Sequence, residues 1–63
     1  MTYQELEAFA NEVIKQYPNH SDKVEELLEL CIDEIQEGAS EQNEIDLCWN
    51  DINHLIHTRN NYE

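Results

Sequence analysis

Residues 24–52 read VEELLELCIDEIQEGASEQNEIDLCWNDI, and the fold turns on how this stretch is divided. Before Gly38, the apolar residues Val24, Leu27, Leu28, Cys31 and Ile35 recur at steps of three and four, the spacing of one helical face. After it, Ile45, Cys48, Trp49 and Ile52 do the same, and Leu55 and Ile56 carry the stripe on until it fades near Arg59. Gly38 is the chain's single glycine. It follows the last apolar residue of the first stripe, where a left-handed residue closes a helix. Ser40 then has the right side chain to cap the next one. A connection this short makes its two helices antiparallel neighbours, an αα-hairpin. With the turn centred between Ala39 and Ser40, the numbers of facing residues sum to about 79. Cys31 then faces Cys48, Leu27 faces Ile52, Val24 faces Leu55, and Ile35 lies near Ile45. Apolar meets apolar in every layer, so turn chemistry and hydrophobic pattern agree.

Working outward, Thr2-Tyr3-Gln4-Glu5 has the form of a capping box. Tyr3, Leu6, Phe9, Ala10, Val13, Ile14 and Tyr17 predict a first helix over about residues 3–17. Pro18 ends it, because the residue before a proline is pushed out of the α region. Asn19-His20-Ser21 reads as a polar link holding two candidate caps for the middle helix, Asn19 and Ser21. Leu30 and Ile32 widen the middle helix's apolar arc to roughly 200°, more than one neighbour covers. Its second neighbour is the first helix or another copy of the chain. The expected fold is all-α: three short helices in a small bundle around an antiparallel αα-hairpin, with dimerisation as a means of completing it. Trp49, the largest apolar surface, is expected in the core or in an interface.

Sixty-three residues form a single helical domain, residues 1–63, at most. So short a chain buries only about 60% of the surface it exposes when unfolded, which is a second reason to expect a homodimer. Fifteen acidic residues oppose three basic ones, giving a net charge of −12. This charge repels nucleic-acid phosphates and anionic lipid headgroups alike. It excludes direct nucleic-acid or membrane binding and points to a basic protein partner. The sequence opens with no signal-peptide pattern and contains no apolar run near the ~20 residues of a membrane span. A cytoplasmic protein with reduced thiols is the expectation.

Motifs for chemistry are weak. Residues 33–44 place Asp33, Gly38 and Glu44 like a calcium loop, but Ile35 stands where an oxygen ligand belongs and the segment before Gly38 is needed as helix. His54 and His57 share a helix edge without the further ligands zinc requires. Cys31 and Cys48 read as small buried hydrophobes, since a reactive thiol needs a positive setting that this chain lacks. There is no phosphate loop or nucleophile elbow, and no pocket to set two carboxylates apart in pKa. The expectation is a protein that is not an enzyme, with no cofactor and no metal.

The acids themselves are the remaining signal. Eleven carboxylates lie between Asp22 and Asp51 against one lysine, Lys23. Glu25, Glu26, Glu29, Asp33, Glu34, Glu37 and Glu41 form the candidate partner-binding face. The alternatives are a merely solvated surface or an anionic patch for a basic protein. Leu30, Ile32 and Leu47, off the main stripes, are the apolar candidates should the acids prove inert.

In its length, its opening Met1-Thr2-Tyr3-Gln4-Glu5-Leu6, and its helix–Pro18–helix–Gly38–helix layout, the chain resembles a group of small acidic phage proteins. These are the early proteins encoded between the exonuclease and excisionase genes of lambda-like bacteriophages. The resemblance implies a regulatory protein in the host cytoplasm that binds a host or phage protein and influences phage development, including the lysis–lysogeny choice. It transfers no site residues, because that group has no site motif. Two rivals follow from the charge and size: an acidic nucleic-acid mimic occluding a DNA-binding protein, and an antitoxin-like chaperone or structural subunit.

Overall fold

A computed structural model describes residues 1–57, and Arg59 lies outside them. The described residues form three helices, α1 (Tyr3–Gln16), α2 (Ser21–Gln36) and α3 (Glu41–His57), with a short 3-10 turn at Pro18–His20. No strand occurs among the described residues, and the fold is all-α.

The capping box forms as its sequence requires. The Thr2 N–H donates to Glu5 Oε1 at 2.9 Å, and the Glu5 N–H donates to Thr2 Oγ1 at 3.2 Å. Two donors that the helix start leaves free are thereby satisfied. From there α1 buries Leu6, Ala10 and Val13, and it ends at Gln16. Tyr17, with φ −132° and ψ 70°, leaves the α region that a following proline disfavours.

The link to α2 differs from expectation. Neither Asn19 nor Ser21 serves as a cap: Ser21 is already the first residue of α2, and no side chain caps that helix. Proline explains the difference. Its fixed φ suits a helical first position, and its missing N–H is one a helix start would leave unpaired. The chain therefore re-enters helical geometry directly after Tyr17. The His20 N–H donates to the Tyr17 carbonyl at 2.8 Å, and the Ser21 N–H donates to that of Pro18. Backbone carbonyls do the work the caps were expected to do.

The α2–α3 turn follows the sequence reading. Gly38 has φ +110°. Its N–H donates to Ile35 and the Ala39 N–H donates to Glu34, each at 3.0 Å. This pair of bonds is the glycine-terminated helix end. Ser40 starts α3, with its carbonyl accepting from the Glu44 N–H at 3.0 Å and its hydroxyl making a long 3.5 Å contact with the Asn43 N–H.

All three helices contribute to one core. It consists of Leu6, Ala10 and Val13 from α1, Val24 and Cys31 from α2, and Ile45, Cys48 and Ile52 from α3. No polar side chain is buried among the described residues. At the cysteine layer the hairpin agrees with the expected register: Cys31 and Cys48 are both buried in the core and perturb one another, and Cys48 Sγ donates to the Leu27 carbonyl, one turn from Cys31, at 3.5 Å. α1 covers the inner side of the hairpin, touching both α2 and α3. α2 thus has two neighbours within the chain, while Leu30 and Ile32, which widen its apolar arc, stay exposed.

Trp49 is not in the core. It is 39% exposed and lies at the α1–α3 edge, its ring centroid 6.2 Å from that of Phe9. The reason is angular. Ile45, Cys48 and Ile52 define the centre of the α3 stripe, and Trp49 lies about 65° round the helix from that centre, on the flank that meets Phe9 of α1.

Candidate functional site: the acidic face of α2

Residues of α2 that point away from Val24 and Cys31 carry the acids. At about 100° per residue, Asp22, Glu26, Glu29, Asp33 and Glu37 fall on the outer face. All five are exposed. Glu26, Glu29, Asp33 and Glu37 span twelve residues, eleven steps or ~16 Å of helix. That is about one charge per 5–6 Å of helix axis for these four, with Glu25 and Glu34 adding charge on either flank. Lys23 Nζ lies 3.5 Å from Glu26 Oε1, but both side chains are largely solvated, so this pair neutralises little of the face.

The remaining candidates are dispersed. Glu25 is exposed but rotated toward the flank that carries Ile32. Glu34 is half-buried and turned toward α3, on the same side as Leu27. Glu41 is exposed in the first turn of α3, beyond the hairpin turn, and its charge is felt at Cys31. Of the seven candidates, then, Glu26, Glu29, Asp33 and Glu37 form one continuous face, while Glu25, Glu34 and Glu41 border it.

Between the helices the electrostatics are those of a closed thiol pair. Burial pushes the Cys48 thiol up to about 12, with Cys31 and the Asp51 carboxylate adding to the effect. Burial also raises Cys31, followed by the charge of Glu44; the neighbouring Cys48 thiol opposes the shift. Tyr3 sits near both sulfurs and is raised by burial first and by Glu7 second. Thiols held protonated in this way are poor nucleophiles at neutral pH. Among the described residues there is no pocket, and no three His, Cys, Asp or Glu side chains converge as a metal site would need. No helix among them is long and apolar enough to cross a membrane.

Large apolar side chains outside the core are the feature the stripes under-reported. Leu30 is 53% exposed, Leu47 54% and Ile32 37%. Off-stripe positions were visible in the sequence, but which of them share a surface depends on how the three helices are arranged. Compared with protein-family models, with curated proteins and with solved structures, the chain matches none.

Proposed function

We propose that this chain is a non-enzymatic regulatory protein of the phage early type, which binds a basic surface on a host or phage protein through the outer face of α2. One observation carries the reading: Glu26, Glu29, Asp33 and Glu37 line a continuous exposed face, remote from the core, with Lys23 beside it the one cation of α2. The fold does not need these charges, because its core is wholly apolar. Solubility does not need them either, since a net charge of magnitude roughly 2–8 suffices for a small domain. A single-signed exposed face of this kind steers an oppositely charged partner and raises its rate of encounter.

The test is capture from bacterial extract by the immobilised protein, set beside capture by the Glu29→Lys, Asp33→Lys, Glu37→Lys triple variant. All three side chains are exposed and lysine is a comparable helix former, so helicity should be retained. A basic partner retained by the parent and lost by the variant is the expected result. Equal retention by both would show that the acids are only a solvated surface.

A further inference from the structure

The hairpin has two sides, and α1 fills only one. The other carries Leu30 and Leu47, the two most exposed large apolar side chains among the described residues. Leu30 stands about 120° round α2 from the Val24–Cys31–Ile35 stripe, in the direction of Leu27. That direction is the α3 side, because the Leu27 carbonyl accepts from Cys48. Leu47 stands about 130° round α3 from the Ile45–Cys48–Ile52 stripe, in the direction of Glu44 and Asp51. That direction is the α2 side, because Cys48, on the same flank of the stripe, donates to the Leu27 carbonyl, and Glu44 acts across the helix pair on Cys31. Both leucines therefore project from the outer face of the hairpin, while Trp49 and Phe9 pair on the inner side with α1. In the hairpin register they are offset by about two residues, ~3 Å along the axes, across the 8–10 Å or so that separates packed helices.

Carboxylates surround this pair. Glu26, Asp33 and Glu34 stand one turn from Leu30, and Glu44 and Asp51 stand one turn from Leu47. Two apolar knobs flanking a groove between antiparallel helices offer a seat like the one α1 occupies on the inner side, but rimmed by negative charge. A second copy of the chain fits poorly, because it would set these five carboxylates against the same five. A helix with an apolar stripe and basic flanks matches both features at once.

Resting on the acidic-face reading and narrowing it, we infer that the outer groove of the α2–α3 hairpin docks a cationic amphipathic helix. Its apolar stripe seats on Leu30 and Leu47, and its lysines or arginines meet the five surrounding carboxylates. The leucines select an amphipathic helix over other cations, and the acids supply the long-range attraction.

The experiment titrates the full chain with two lysine–leucine peptides of about 18 residues, long enough to become helical. One is patterned as an amphipathic helix, and the other is a scramble of the same composition. Calorimetry should give the patterned peptide an affinity at least about tenfold above the scramble, and Leu30→Ala with Leu47→Ala should remove that preference. Both side chains are exposed, so the double variant should fold, as circular dichroism can check. Amide shifts in NMR spectra should cluster around Leu30 and Leu47. Equal affinities, or a preference that survives the double variant, would overturn the amphipathic-helix inference and leave the acidic-face reading standing. Failure of both peptides to bind would remove both. A doubled mass in light scattering that reverts in the double variant would assign the groove to a second copy and overturn the inference.

Discussion

Gly38→Ala isolates the turn on which the hairpin depends. A Cβ built at Gly38 meets nothing within 4 Å, so the substitution costs no packing. The whole effect comes from φ +110°, a backbone region that L-residues avoid at a cost of ~1–2 kcal/mol. Alanine also restricts the unfolded chain, which offsets about 0.4–1 kcal/mol. A net loss of about 1 kcal/mol is expected, against a total of roughly 3–9 kcal/mol for a chain of this length. With a urea slope of about 1 kcal/mol per molar, the midpoint should fall by ~1 M. The D-alanine analogue, prepared by chemical synthesis, adopts positive φ without strain and keeps the unfolded-state benefit. It should unfold at higher urea than the parent. The two analogues have identical composition and differ only in handedness, so their separation measures the backbone term directly. An L-alanine variant that melts like the parent, or a D-alanine analogue no better than the L form, would refute the reasoning.

Further outcomes concern the core. Ile52 is fully buried, so Ile52→Ala should cost on the order of 2–5 kcal/mol and leave little cooperative helical signal at room temperature by circular dichroism. Trp49→Ala, at the rim against Phe9, should cost about 1–2 kcal/mol and keep a cooperative transition; complete unfolding of that variant would return Trp49 to the core. Cys31 and Cys48 are both raised above the usual thiol value of 9.0, so the unfolded chain loses these protons first as pH rises. Their contribution is intact below about pH 9 and is lost progressively from there toward Cys48's raised value of about 12, so the urea midpoint should drop across that range. A flat midpoint there would contradict the buried, protonated thiol pair. So would rapid alkylation of the folded protein at pH 8.

Where local chemistry decided the outcome, the sequence was a sufficient guide. Thr2 and Glu5 satisfy each other, Gly38 stops α2, and the 31–48 pairing follows from turn position and hydrophobic spacing together. Features set by the arrangement of three helices were less legible. Trp49 shares spacing with Ile45 and Ile52, yet its angle places it at the rim, beside Phe9 from a helix forty residues earlier in the chain. At Pro18, the expectation of a capped polar link gave way to a continuous 3-10 turn, because proline can begin a helix as readily as end one. In the candidate site, Glu26, Glu29, Asp33 and Glu37 are co-facial by helical arithmetic alone. The inward turn of Glu34, the separation of Glu41, and the shared face of Leu30 and Leu47 required knowing which side of α2 meets α3.

The acidic face is tested most directly by the association rate of a captured basic partner, measured from about 20 mM to about 500 mM salt, for the parent and for the Glu29→Lys, Asp33→Lys, Glu37→Lys variant. The parent's rate should fall by about tenfold or more over that range, because the Debye length shrinks below the reach of the exposed carboxylates. The variant's rate should start low and change little. An association rate that is flat with salt in the parent, and equal in the variant, would contradict the account.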